Sequence, residues 1–521
     1  MNTNDFVRYE NFGAVGDGIT DDFDAMLRAH AYANEKRLPV KAEPGKSYYI
    51  GKSGVRTIEI MTDTDWTDAT IIIDDTSIMP SDPERTVRPI YIKSDYEGKR
   101  YEKGDEVIDK ILECGGIKTT TRKIPYAPGY PAMIIPYDTE RKVYIRFGGN
   151  ADNGSYQHEV IVIDENGNID NDTPALLDYN NISYILEYRI DDTPITIKGG
   201  TVITRANQAP NAYTYYERGL EIARSNVTID GLKHKRTGEG SHGAPYYGFI
   251  STKFINNLLV VNCEFQAHRY NRNEDPSTGG LTNMGTYEIG GTNSNKVYYK
   301  NCTQSNFFHP VTGKPTNTYF DEEGNAVGAL WGVMGTNYCK NITYDGCVLN
   351  RLDAHAGVYN ATIKGGSHCT MINLIGGGTA LIEDSTMYGD KIINLRQDYG
   401  SVWNGEIVVK NSTLISSGVK SLFTAYWNNH DFGYTTYLPN ITIDGLKIEP
   451  AIACVSIFSD MPEGRCDGDF TGKTVTIDGK ETENKNPTVM PERITVKNCD
   501  GVQFTAAPEG SWLEERLGKL I

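Results

Sequence analysis

The sequence predicts an all-β chain: a single-stranded right-handed parallel β-helix with an N-terminal capping helix and a β-rich insertion. Three observations predict it. First, a nine-residue pattern recurs between residues 194 and 502, with a polar residue, two apolar positions separated by one residue, a charge, a turn residue and a small residue. Copies include Asn226-Val227-Thr228-Ile229-Asp230-Gly231-Leu232, Asn341-Ile342-Thr343-Tyr344-Asp345-Gly346-Cys347 and Arg493-Ile494-Thr495-Val496-Lys497-Asn498-Cys499. Second, the small position falls at 200, 232, 263, 302, 347, 366, 385, 412, 446 and 499, so the shortest gap is 19 residues. One strand and one turn cannot bury their own apolar side, so such units must stack. Third, 53 Gly and 33 Tyr among 521 residues suit a turn-rich β protein with aromatic surface.

The elements follow in chain order. After Asn11-Phe12-Gly13-Ala14-Val15-Gly16-Asp17-Gly18-Ile19-Thr20-Asp21-Asp22, the residues Phe23, Met26, Leu27 and His30 share one helical face, with Thr20 or Asp21 placed to cap the first turn. Residues 39–50 read as strand, turn, strand, and Thr70–Asp75 as a first rung. Residues 1–79 are therefore the cap and first rungs. Residues 80–190 break the period and read as the insertion, with strands at Val143–Phe147 and Val160–Asp164. Residues 191–505 form the main coil, and residues 506–521 are a short tail placed to cover the last strand edges.

The segment from Asn11 to Asp22, with the strands after it, resembles the opening of the pectate lyase superfamily of right-handed β-helices. That resemblance implies a helix closing the N-terminal end of the coil and a carbohydrate-active protein, without specifying a reaction. The Asn-Thr-Asp, Gly-His-Gly and Arg-Ile-Lys signatures of polygalacturonases do not occur in order, and neither does the Trp-x-Asp-His strand of pectate lyases. No family residue can be carried over.

A net charge of −17 argues against nucleic acid as a partner. No run has the length of a membrane span, and no secretory leader precedes the fold, so the expected place is the cytoplasm or, with a trimmed leader, outside it. Cys263, Cys302, Cys347 and Cys499 occupy the small slot and read as reduced interior residues. There is no C-x-x-C pair and no acidic loop with calcium spacing, so no cofactor is expected, with calcium left open but not indicated. The partner is expected to be a carbohydrate, with monomer and homo-oligomer both open.

Alternation within the strands preceding the repeats places the chemistry. Leu352 and Ala354 point inward, which sends Arg351, Asp353 and His355 outward. Ile393 and Leu395 do the same for Asn394, Arg396 and Asp398, and Ile372 and Leu374 for Asn373. Glu221 and Glu288 read as outward on earlier rungs. Rungs are about 4.8 Å apart, so Glu288 and Asp353, two rungs apart, should be separated by about 9–10 Å. Two carboxylates at about 6.5–9.5 Å suit an inverting glycoside hydrolase. Glu288 is then the general acid and Asp353 the base, with His355, Arg396 and Asp398 as further catalytic candidates. Arg351, Glu221, Asn373 and Asn394 are candidates for substrate binding, and Tyr399, Trp403 and Trp427 for stacking on sugar rings. A polysaccharide lyase acting on a uronate-containing glycan is the close alternative, since Arg351, Arg396 and His355 offer cations and a base. The alternative from another class is a non-catalytic glycan-binding or phage tailspike-like protein.

Overall fold

The sixth position of the repeat explains why the chain coils. Gly199, Gly231, Asn262, Asn301, Gly346, Gly365, Asp384, Asn411, Gly445 and Asn498 all have positive φ, between 46° and 74°. That left-handed backbone is costly for residues other than Gly, Asn and Asp, and it turns the chain from one strand into the next. The computed structural model describes residues 6–51, 53–148, 152–209, 215–239, 243–274, 281–285, 287–400, 402–425, 430, 432–461, 474–477, 480–483 and 486–521, the side chains of 271–284, 474–477 and 482–483 excepted. The chain divides into two compact units, residues 1–97, 190–335 and 347–350 in the first and residues 98–189, 336–346 and 351–521 in the second.

In the first unit, strands stack in parallel on three sheets. One contains Ile195–Lys198, Val227–Asp230, Asn256–Val261 and Asn295–Lys300. The next runs from Asp17–Asp21 through Ser47–Ile50, Thr70–Asp74, Thr201–Arg205 and Lys233–Thr237. The third contains Ile58–Ile60, Ile90–Lys93, Leu220–Ala223, Tyr247–Lys253 and Tyr287–Thr292. Ile90–Lys93, which the period assigns to the insertion, is thus a coil strand, paired with Ile58–Ile60 and Leu220–Ala223. The helix spans Phe23–Lys36 and buries Phe23, Met26, Ala29 and His30. Asp22 holds the N-cap position. The Asp21 carboxylate accepts the N–H of Phe23, the first helical residue, at 3.0 Å and so supplies the side-chain cap expected of Thr20 or Asp21. The Asp22 carboxylate accepts from the backbone N–H of Val15, Gly16 and Tyr49, so it ties the opening loop to a strand instead of capping its own helix. Cys263, Cys302 and Cys347 are reduced and buried, each donating weakly to a strand carbonyl.

The second unit repeats the three-sheet pattern. Its sheets contain Val358–Lys364, Gly376–Glu383, Trp403–Lys410 and Asn440–Asp444; His368–Cys369, Thr386–Tyr388 and Thr413–Ile415; and Arg351–Ala354, Met371–Leu374, Ile393–Leu395 and Ser421–Thr424. Leu352, Ile372, Leu374 and Ile393 line its apolar interior. The same unit holds an antiparallel sheet of Lys99–Glu102, Ala132–Val143, Ser155–His158, Ile161–Ile163 and Tyr184–Arg189, with the helix Glu106–Glu113. Ile108, Ile111, Ile134, Ile161, Ile163 and Ile185 give it a core of its own. The strand expected at Val143–Phe147 instead ends at Val143, because Tyr144 turns the chain with φ 55°. Trp512–Leu517 forms a short helix, its first turn capped by the Ser511 side chain.

One buried ion pair fastens the antiparallel sheet to the coil within this unit. Lys340 Nζ donates to Glu159 at 2.8 Å and to the Pro174 carbonyl at 2.6 Å, while Glu159 accepts the backbone N–H of Leu176 and Leu177. Burial lowers the Lys340 pKa, and Glu159 opposes that shift. Truncating Lys340 to Met leaves a buried carboxylate without its cation, an expected loss of roughly 3–5 kcal/mol. Thermal unfolding followed by circular dichroism measures it, and an unchanged melting temperature contradicts this role.

Candidate functional site

The register of the third sheet decides where each candidate carboxylate stands. In the first unit Glu221 is aligned with Tyr91 on one side and Ser251 on the other, and Ser251 with Gly290. Glu288 is therefore not in the column of Glu221. The register shifts between Tyr247 and Ile250, where Gly248 has φ 77°, and this bulge re-aims the start of the strand. Glu221 is partly buried, with its carboxylate 3.8 Å from Arg88 Nε.

Glu288 lies in a buried polar network, which corrects the expectation of an outward, solvated acid. It accepts from His234 Nδ1, from His268 Nε2 at 2.8 Å and from Arg236 Nη1 at 3.3 Å. Arg236 also donates to Glu239 at 3.0 Å. His234 and Arg236 are in register with Val202 and Thr204, and those with Ile71 and Ile73, on the buried face of their sheet. The His234 ring stacks on Phe249 at 3.7 Å. Burial opposes ionisation of Glu288, but the imidazoles of His234 and His268 more than reverse it, so its carboxyl titrates well below the usual range. A fully buried carboxylate held ionised does not supply a proton at neutral pH, so the general-acid role does not fit Glu288. Alternation along Lys233–Thr237 carried the signal for His234 and Arg236, because it puts both at inward positions.

In the second unit the alternation places the residues as expected. Asp353 aligns with Asn373, Asn373 with Asn394 and Asn394 with Thr424. Asn394 Nδ2 donates to Asn373 Oδ1 at 2.7 Å and Thr424 Oγ1 to Asn394 Oδ1 at 2.8 Å, forming a polar ladder beside the charges. Arg351 holds Asp353 Oδ2 through Nε and Nη2 at 3.0 and 2.6 Å. Arg396 holds Asp398 through Nε and Nη2 at 3.0 and 2.6 Å, with its Nη1 3.6 Å from Asp353 Oδ1. Arg146, from the segment after Val143, donates through Nε to Asp398 Oδ2 at 2.8 Å. Burial opposes ionisation of Asp398, yet Arg396 and Arg146 overcome it and hold the carboxyl below its ordinary value. Burial, aided by the arginines and opposed by Asp353, pulls the His355 imidazole down to about 4, so it is neutral at pH 7. Asp353 is buried, but the side chains of Arg351, Arg146 and Asp398 keep 15%, 22% and 21% of their exposure.

The aromatic candidates divide differently from the expectation. Trp403 is fully buried and donates to the Gly378 and Glu406 carbonyls, so it is packing rather than a sugar platform. Tyr399 is buried too, with the guanidinium carbons of Arg396 and Arg146 5.0 and 5.7 Å from its ring centre. Trp427 lies outside the described residues. Glu288 and Asp353, expected to work as a pair, belong to different units and each serves its own network. Arg146 gave no signal, being 252 residues from Asp398 in sequence. Among the described residues no group of three or more His, Cys, Asp or Glu is placed to hold a metal ion.

No protein-family model matches the chain. A capsule KL64-specific depolymerase of Klebsiella phage P510 is 32% identical over 117 residues, covering 20% of this chain and 11% of that protein. An uncharacterized 65.4 kDa protein in the cps region of Klebsiella pneumoniae is 46% identical over 46 residues, covering 9% of this chain and 8% of that protein. The matched segments are thus about a tenth of the length of these curated relatives. Among solved structures, the tailspike protein gp49 of Pseudomonas phage LKA1 is similar at 13% identity and TM-score 0.49, over 97% of this chain and 83% of that one.

The chain is a parallel β-helix. Its stacked parallel sheets and ladder registers carry that conclusion, and it is the fold that the resemblance of the opening segment to the pectate lyase superfamily implies. On this β-helix the two polar clusters differ in kind. The Glu288 network is closed and the Asp353–Arg396–Asp398 cluster is partly open to solvent.

Proposed function

We propose that this β-helix cleaves glycosidic bonds of a poly- or oligosaccharide at the Asp353–Arg396–Asp398 cluster. The observation that carries the reading is the partial exposure of two carboxylate–arginine pairs beside a neutral imidazole and an amide ladder. Such a ladder offers donors and acceptors to sugar hydroxyls along the coil. The segment shared with a capsule-specific depolymerase supports a glycan as the substrate.

The chemistry follows from the protonation states. Asp398 is held as a carboxylate, able to accept a proton from water or to stabilise positive charge on a sugar ring. Asp353 faces two guanidinium groups, which favour its ionised form. His355 is neutral at pH 7, the state from which a general base starts, and its lowered value makes it a weak base. For hydrolysis the base is Asp353 or Asp398 acting on water, and the leaving oxygen takes its proton from solvent, because Asp398 is ionised and His355 neutral at pH 7. The lyase reading is favoured by one observation: the groups assembled here are bases and cations, which is what removal of a proton beside a carboxylate requires.

The test is a panel of bacterial capsular and plant polysaccharides, read for new reducing ends and for the ultraviolet absorbance of an unsaturated uronide. Reducing ends alone mean hydrolysis, and both signals together mean elimination. Binding with neither signal favours a non-catalytic glycan-binding protein. With His355 as the base, activity falls as pH drops through about 4, because protonation removes the lone pair. An acid limb close to the usual imidazole value of about 6.5 contradicts the lowered titration of His355. A limb at about 4 that survives His355→Gln contradicts its role as the base.

A further inference from the structure

We infer that Arg146, delivered by the inserted antiparallel sheet, is a specificity-determining residue that seats a carboxylate of the glycan. The inference rests on the cluster being the glycan site and adds the class of sugar it takes. Arg146 reaches Asp398 only through Nε, and among the described residues its two amino groups have no protein acceptor. That edge of the guanidinium is the one that binds a carboxylate with paired hydrogen bonds.

Its position is fixed from both sides. Ile145 N–H donates to the Phe432 carbonyl at 3.3 Å and Phe147 N–H to the Asp398 carbonyl at 2.9 Å, so the residues flanking Arg146 are bonded to the coil of the same unit. Tyr144 packs on Tyr338 and Tyr434 at 5.7 and 4.7 Å between ring centres, and Tyr434 donates to the Tyr399 carbonyl at 3.0 Å. The Tyr399 ring in turn lies beneath Arg146. The guanidinium is thus preorganised and pays little ordering cost on binding.

The charge balance points the same way. Among the described residues Arg146, Arg351 and Arg396 face Asp353 and Asp398, an excess of one positive charge in a chain of net charge −17. The Asp152 carboxylate is exposed and turned to the Gly154 N–H, where solvent screens it. A neutral sugar leaves the excess cation partly desolvated, and an acidic sugar neutralises it.

The probes are glucuronate and glucose, titrated into the full chain and followed by ligand-observed NMR. Glucuronate is expected to bind at least about tenfold more tightly than glucose, as for a hydrogen bond between charged groups. Arg146→Met should erase that preference, Arg146→Lys should keep part of it, and added salt should shrink it in the parent. Melting curves establish that each variant is folded, and the salt response reads the same contact without any variant. Equal binding of the two sugars, or a preference that survives Arg146→Met, overturns the inference. Cleavage of neutral glycans that is unaffected by Arg146→Met overturns it while leaving the proposed function standing. An Arg146-dependent preference for glucuronate without cleavage of any glycan supports it and removes the catalytic reading.

Discussion

Asp353→Asn is expected to lower glycan cleavage by roughly 10²–10⁴-fold, the usual contribution of a positioned acid or base. Asparagine keeps the size of the side chain and leaves an oxygen for the Arg351 fork, so the fold should survive. What is lost is the negative charge facing Arg351 and Arg396, and with it the ability to accept a proton. The expected signature is a fall in kcat with KM changed far less, because the neighbouring ladder of Asn373, Asn394 and Thr424 remains to hold the sugar. Steady-state kinetics on the best substrate of the panel measure both. A variant that binds poorly but turns over normally would move Asp353 from chemistry to binding.

Glu288→Gln should act on stability. The carboxylate is fully buried among His234, His268 and Arg236, and removing its charge leaves the Arg236 guanidinium with Glu239 as its remaining carboxylate partner. Breaking such a buried set costs roughly 3–5 kcal/mol. The pH dependence follows from the depressed folded-state value. Glu288 contributes its stability above the ordinary glutamate pKa of 4.5, and the contribution is lost as pH falls toward the lower folded value. The gap between parent and Glu288→Gln in denaturant midpoint is therefore widest near neutrality and narrows in acid. A gap that widens on acidification contradicts the ionised assignment.

Most of the coil was legible because one backbone requirement repeats. The left-handed turn demands Gly, Asn or Asp, and the strand before it must bury alternate side chains, so residues 226–232 and 440–446 read almost identically. The same alternation placed Asp353, Asn373 and Asn394 on one line. It failed for Glu288, because a bulge at Gly248 is a register event that no local pattern announces. Trp403 was chosen as an aromatic near the charged column, a signal that carries no burial information, and its indole is buried with hydrogen bonds to the Gly378 and Glu406 carbonyls. Arg146 was out of reach for a different reason. It joins the cluster only because the insertion folds back within its own unit, and that long-range packing leaves no periodic trace.

The charged column also shows why outward and exposed are different properties. Asp353 points away from the apolar interior lined by Leu352 and Ile372, yet its side chain is only 1% exposed. Arg351 and Arg396 cover it, and the charge that would be solvated on a bare strand is instead paired. Pairing of this kind shifts ionisation and fixes rotamers together, which is what a reacting group needs.

The most direct test of the central claim runs the parent and Asp353→Asn in parallel over the polysaccharide panel, with reducing ends, uronide absorbance and a melting curve for each. At least one polysaccharide is expected to be cleaved by the parent and not by Asp353→Asn. The melting curve is expected to show the variant still folded at the assay temperature although less stable, since a buried paired charge is lost. Cleavage by Asp353→Asn at the rate of the parent would contradict it and place the chemistry away from this cluster.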